Sequence, residues 1–197
     1  VLLEKVAGAD KFSKIDLAKG YYQIEIAELD KCKTAFRFDG ELYEFNQMPF
    51  GLSSAPQTFQ RAMHKVLNGV PNVVCYLDHI LIFTGPNENH LAAVDRILAA
   101  VEEANLRMNK KKCQFELECV EFLGFRVDKN GVRPSGEKIK AVMEMPRPTS
   151  TSDVQTFVGL TNHFAAHIPE HAEIAAPLFD LVKKDAKFVW TEVHEHS

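Results

Sequence analysis

Two carboxylates and an imidazole set the first question. The stretch "VVCYLDHILIF", residues 73–83, holds a single polar pair, Asp78 and His79, between two apolar runs. Asp16 stands at the end of a separate stretch, "KFSKIDL". If Asp16 ends one strand and Asp78 caps a hairpin tip, their anionic oxygens converge at one edge of a sheet. Such a pair suits magnesium, a hard cation that takes oxygen ligands and leaves positions open for phosphates. Two such ions about 4 Å apart catalyse in-line phosphoryl or nucleotidyl transfer by clamping the attacking and leaving oxygens. The structural alternative is that Asp78 and His79 simply make the turn, since both residue types tolerate the positive φ that two-residue hairpins often need.

The elements that must position these groups follow from pattern. "KFSKIDL" and "YYQIEIA" read as two strands punctuated by Gly20, the second alternating Tyr22, Ile24 and Ile26 against Tyr21, Gln23 and Glu25. "TAFRFDGELYEF" reads as a hairpin turning on Asp39-Gly40. "SSAPQTFQRAMHKVLNG" predicts an amphipathic helix, with Ser53 or Ser54 as N-cap, Pro56 in the first turn and Asn68-Gly69 closing it. After the Asp78 hairpin, "NHLAAVDRILAAVEEANL" predicts a second helix with Leu91, Val94, Leu98 and Val101 on one face. "CVEFLGFRVDKNGVRP" predicts a hairpin whose Asn130-Gly131 turn suits type I′ geometry. The proline- and serine-rich "MPRPTSTS" introduces a helical region opened by Ser152, with Gln155 completing a capping box. Helical patterns at 153–166 and 177–184 follow, separated by Ile168-Pro169. The prediction is α+β, with a mixed domain followed by a small helical one.

Composition bounds the rest. At 197 residues and 46% hydrophobic content the chain can bury a real core. No stretch approaches the ~18 consecutive apolar residues of a membrane span, and no basic-then-apolar signal opens the sequence. An intracellular, non-secreted protein without membrane attachment is expected. The four cysteines form no CxxC pair, so reduced structural thiols are expected. With a formal net charge of -4, any phosphate binding must come from local basic groups. Lys110, Lys111 and Lys112 are such a run, and serve equally as a solvated face after a helix. His163, His167 and His171 recur every four residues and would suit either a metal face or plain surface, with Pro169 interrupting the helix between them.

"FSKIDLAKGYYQI", "MPFGLSSAPQTFQRAM", "YLDHILIF" and "VEFLGFRV" occur in the order and approximate spacing of the palm motifs of reverse transcriptases, and look most like those of gypsy-type long-terminal-repeat retrotransposons and of retroviruses. From "VRPSGEKIKAVMEMPRP" to "KFVWT" the chain resembles the thumb and the segment leading to ribonuclease H in those polyproteins. The resemblance implies a palm over residues 1–132, with the fingers largely absent, and a thumb with the start of the connection over 133–197. It implies RNA-directed DNA polymerase activity on an RNA or DNA template-primer with deoxynucleoside triphosphates and two Mg2+ ions. Ribonuclease H and integrase would be further parts of the same polyprotein. Asp16 and Asp78 would be the catalytic, metal-binding carboxylates, and the backbone carbonyl of Leu17 a further oxygen ligand. Tyr21 would be the aromatic that screens out a 2′-hydroxyl, or else an ordinary half-buried strand residue. Phe50 and Gly51 would pass beneath nucleotide and template, with glycine permitting close backbone approach. Leu123, Gly124 and Phe125 would hold the primer terminus.

Three departures from the family pattern qualify that expectation. His79 stands at the position of the usual second aspartate, and imidazole prefers zinc, copper, iron or nickel to magnesium. Losing roughly 4 kcal/mol of transition-state stabilisation would slow the chemistry about a thousandfold. Only eleven residues precede Phe12, where the family places template and triphosphate contacts. In "NHFAAHIP", Ala165 and Ala166 replace paired arginines, and residues 133–197 carry seven basic against nine acidic residues. The alternative to a weak or inactive polymerase is therefore a retroelement-derived remnant that acts as a nucleic-acid-binding or protein-interaction module.

Overall fold

The short strands at the centre of the chain are laid down in an order that brings distant segments edge to edge. A computed structural model describes residues 3–6, 8–183 and 188–195, so the last residue of the helix expected over 177–184 lies outside the described residues. In chain order the elements are β1 Lys11–Asp16, α1 Glu28–Lys31, β2 Phe36–Phe38, β3 Glu41–Tyr43, α2 Ala55–Val66, β4 Val73–Tyr76, β5 His79–Thr84, α3 His90–Glu103 and β6 Gln114–Leu117. They continue with β7 Cys119–Phe122, β8 Phe125–Asp128, β9 Gly131–Pro134, α4 Gly136–Met143, α5 Thr151–Asn162, α6 His171–Ile174, α7 Ala176–Leu181 and α8 Glu192–Glu195. The architecture is α+β. Two compact units divide it: Val1–Phe122 with Val127–Gly131, and Leu123–Arg126 with Val132–Ser197.

The first unit is built on a four-stranded sheet in the order β4-β5-β1-β6. β1 runs antiparallel to β5 in a register from Lys11↔Thr84 to Asp16↔His79. β4 pairs antiparallel with β5 from Val73↔Ile82 to Tyr76↔His79. Ile15, Ile80 and Ile82 of the sheet pack with Phe59 and Met63 of α2 and with Ile97 and Val101 of α3, all fully excluded from solvent. Each such side chain contributes about 1.5–3 kcal/mol relative to exposure, which is what holds the register. Among the described residues, no helix is long and apolar enough to cross a membrane.

Several local expectations are corrected. The second strand expected over "YYQIEIA" is a 3-10 turn at Gly20–Gln23, followed by a single bridge between Glu25 and Gln47. Lys19 enters the left-handed region at φ 51, and the Gln23 amide donates to the carbonyls of Ala18 at 2.6 Å and Arg107 at 3.0 Å, tying the turn down before a strand can form. Asn89 caps α3 by accepting the Ala92 N–H, but the buried face is Ala93, Val94, Ile97 and Val101, with Leu91 exposed. Ser54 occupies the N-cap of α2 without a side-chain bond. The cap of α5 is Ser150, not Ser152: its hydroxyl accepts the Asp153 N–H, while Asp153 reaches back to Thr149. The turn before β9 spans Lys129 and Asn130, closed by the Asn130 N–H on Asp128 Oδ1. Paired positive φ values fall instead on Leu123 (54°) and Gly124 (81°), between β7 and β8. The Asp39-Gly40 hairpin forms as expected, with both residues at positive φ.

In the second unit Val154, Val158, Leu178 and Leu181 form a small core, flanked by Phe157, Phe179, Phe188 and Trp190. α4 and α8 lie in segments where no helix was expected.

Candidate active site

Asp16 and His79 are direct cross-strand partners at the last position of the β1–β5 ladder. In an antiparallel pair, opposed residues project to the same face, so the register alone aims both side chains at one point. Asp78 precedes His79 in the two-residue turn between β4 and β5, and its carbonyl accepts the Leu17 N–H at 2.9 Å. That bond ties the tip of the hairpin to the end of β1. Asp16, Asp78 and His79 each offer one ligand atom, all within 4.8 Å of one another, and among the described residues no other such cluster of three occurs.

Their environments differ. Asp16 is 4% exposed. His79 Nδ1 stands 3.2 Å from Asp16 Oδ2, and Lys112 Nζ 3.9 Å from Asp16 Oδ1. The first contact is not a hydrogen bond, for His79 Nδ1 is buried without a hydrogen-bond partner. On its other side, His79 Nε2 lies 3.9 Å from Asp78 Oδ1, and both side chains are partly open to solvent.

The turn beneath the cluster is strained where glycine would be usual. Leu77, not Asp78 or His79, carries the positive φ, at 52°. This corrects the purely structural reading of Asp78 and His79 as the positive-φ turn pair. A bulky residue in this region costs on the order of 1–2 kcal/mol. Gln60 of α2 offsets it: its Oε1 accepts the Leu77 N–H at 2.7 Å and its amide donates to the Cys75 carbonyl at 3.0 Å. Burial, and then the Asp78 carboxylate, push the Cys75 thiol up to about 12, and its Sγ donates to the Leu77 carbonyl. Cys75 is not among the three residues whose ligand atoms converge. All four cysteines are free.

The remaining expected positions are distributed as follows. Leu17 is buried and follows Asp16 directly. The Tyr21 ring packs on Phe59 at 5.6 Å and on Phe50 at 5.1 Å, and Tyr22 also meets Phe50. Phe50 is 63% exposed, and Gly51 adopts φ +96 with open space where a Cβ would stand, so glycine is required there by conformation. Leu123, Gly124 and Phe125 belong to the second unit, where Phe125 packs on the rings of His163, Phe164 and His167. His163, His167 and His171 gather no metal cluster among the described residues.

Three contributors escaped the sequence reading. Gly20 was read only as punctuation, yet a Cβ there would meet Asp78 Cβ at 3.2 Å and Phe59 at 3.4 Å. Gln60 was one polar residue on an apolar helix. Lys112 was one of three consecutive lysines, and only the fold brings it to Asp16. A cleft of about 510 Å³ opens next along the chain, lined by Lys19, Gln47 and Arg107 and also by Glu25.

Comparison with known proteins adds the following. The family model described as "Reverse transcriptase (RNA-dependent DNA polymerase)" matches residues 2–127. The Retrovirus-related Pol polyprotein from transposon 297 of Drosophila melanogaster is 39% identical over 188 residues, 94% of this chain and 18% of its own length. The Transposon Tf2-7 polyprotein of Schizosaccharomyces pombe (strain 972 / ATCC 24843) is 34% identical over 192 residues, 96% of this chain and 14% of its own length. The chain thus spans less than a fifth of these curated relatives. A solved foamy viral protease-reverse transcriptase dRH in complex with double-stranded DNA superposes with a TM-score of 0.88 at 25% identity, over 98% of this chain and 35% of that one. The foamy viral protease-reverse transcriptase in complex with an RNA/DNA hybrid gives 0.85 at the same identity, over 98% of this chain and 27% of that one.

Proposed function

The chain belongs to the reverse transcriptase family, in the form carried by retroelement Pol polyproteins, and from that premise we propose that it is a palm and thumb piece of an RNA-directed DNA polymerase whose nucleotidyl-transfer centre is impaired. The observation that carries the reading is the convergence of Asp16, Asp78 and His79 at one end of the β1–β5 ladder. The family implies two magnesium ions, and the donor set does not fit them. An imidazole with an unpartnered nitrogen stands where the family carries a second carboxylate, and Lys112 already faces Asp16.

What this chain's own residues do is position and exclude. Asp16 and Asp78 supply negative charge at the tip. The Tyr21 ring, braced by Phe50 and Phe59, forms an aromatic wall where a sugar would lie. Lys19 and Arg107 put two cations into the neighbouring cleft, which suits phosphate oxygens. The first unit acts as palm, and the second, with Leu123, Gly124 and Phe125 at its start, as thumb and primer grip. A template-primer duplex is the proposed partner, in keeping with the double-stranded DNA and the RNA/DNA hybrid in the foamy viral complexes.

Primer extension on an RNA template with Mg2+ tests the reading. The parent chain is expected to extend poorly, and His79→Asp to raise the rate by up to about a thousandfold, the ~4 kcal/mol that a missing carboxylate is worth. Robust extension by the parent would sink the claim that His79 disables it. The second reading, a remnant that only binds nucleic acid, is favoured by His79 itself. It predicts template-primer retention on a filter with no extension from either protein.

A further inference from the structure

We propose that the Asp16–Asp78–His79 cluster takes a single borderline divalent cation of the zinc and cobalt(II) class in preference to magnesium. The inference depends on the proposed function only in treating this cluster as the functional centre.

Three observations carry it. First, His79 Nδ1 and Asp16 Oδ2 are 3.2 Å apart without being hydrogen-bonded. Two ligands on one tetrahedral zinc, each 2.0–2.1 Å from the metal, are separated by about 3.3 Å, so this edge already has the spacing of a coordination shell. Second, one buried polar atom at this edge lacks what it needs. The Asp16 carboxylate, 4% exposed, is held among the described residues only by ion-pair contacts to His79 and Lys112, and His79 Nδ1 has no hydrogen-bond partner. Orphaned buried polar atoms are rare in folded proteins because each carries an uncompensated desolvation cost, which a cation between the two would remove. Third, Asp78, 40% exposed in its side chain, already places a carboxylate oxygen within the 4.8 Å that encloses the three ligand atoms. One nitrogen and two carboxylates make a donor set that suits zinc, whereas magnesium demands octahedral oxygen and dehydrates reluctantly. Lys112 is the built-in competitor: its ammonium, 66% exposed and 3.9 Å from Asp16, supplies positive charge that an incoming ion must displace.

The test is direct binding to the folded chain with Co2+ as spectroscopic probe. Expected are visible absorption bands of stoichiometry near one, abolished by equimolar Zn2+ and unaffected by about a hundredfold excess of Mg2+. His79→Asp should weaken Co2+ and Zn2+ at least about tenfold and gain Mg2+ binding by calorimetry. Lys112→Met should tighten Zn2+. Should His79→Asp fail to fold by circular dichroism, Asp78→Asn at the open hairpin tip carries the same loss. Mg2+ binding as tight as Zn2+ in the parent, or Zn2+ binding unchanged in Asp16→Asn, overturns the proposal. The two readings fail separately. Selective Zn2+ binding with no extension by parent or His79→Asp leaves this inference standing and sinks the polymerase. Extension by His79→Asp in Mg2+ with no Zn2+ site in the parent does the reverse.

Discussion

His90 shows what a buried imidazole does in this chain when it is fully partnered. Its Nε2 lies 2.7 Å from Ser13 Oγ and its Nδ1 2.7 Å from Thr84 Oγ1, while Ser13 Oγ also accepts the Glu116 N–H. Burial pushes the imidazole below its usual range. Glu116 and Asp10 oppose that shift and Lys11 adds to it, without reversing it. A base whose folded pKa is depressed contributes stability that is complete above its unfolded value, about 6.5, and is lost as pH falls through the folded value. Urea midpoints should therefore hold from pH 8 down to about 6.5 and decline below it, and His90→Gln should flatten that decline; equal slopes in the two proteins would exclude His90 as the cause. His79 contrasts with it, since one of its nitrogens is left without a partner. That difference was not legible in the sequence, where both residues are single histidines beside apolar runs. The identities of Asp16, Asp78 and His79 were legible because chemistry follows residue type, but the 3.2 Å contact depends on register.

At the scale of elements, α2 and the β4–β5 hairpin are coupled through Gln60 more than through any charge. Gln60→Leu would leave the Leu77 N–H and the Cys75 carbonyl without their partner while the positive φ at Leu77 persists. The expected cost is about 1–3 kcal/mol, read as a fall in Tm of several degrees, with Asp78 released from its place. An unchanged melting curve would show that the turn holds itself. Legibility divides along the same line. The helices α2 and α3 and the Asp39-Gly40 hairpin were readable because periodicity and turn chemistry are local. The strand expected at "YYQIEIA" was not, since Gln23 is drawn into bonds with Arg107, which lies far along the chain. Ser150 displaced Ser152 as the cap of α5 because either serine fits a capping pattern, and only the start of the helix decides between them.

Taken whole, the chain carries a formal charge of -4, an unfavourable field for a polyanion. The proposed duplex binding must then rest on a few local cations, Lys19, Arg107 and the lysines at 110–112. Binding is expected to be weak and to fall with salt at a log–log slope no steeper than about -4.5, because each phosphate neutralised contributes roughly -0.9 and these five cations neutralise at most one each. A steeper slope by filter binding at varied ionic strength would reveal a basic surface beyond these groups. The change in composition near "MPRPTSTS" falls inside the second unit, which takes in Leu123–Arg126 and Val132 onward, so composition marked the run of helices from α5 and not where the units divide. Of the small helices of the second unit, α7 fell within the pattern expected over 177–184, but α4, α6 and α8 were not legible, because four- to eight-residue segments carry too little periodicity to read. The cross-strand place of His79 opposite Asp16 has one more consequence. The backbone there is already set by the ladder, the Leu17–Asp78 bond and Gln60, so an aspartate side chain needs no rebuilding around it. Histidine and aspartate codons differ only in their first base, which leaves the gene a single point mutation from a two-carboxylate hairpin.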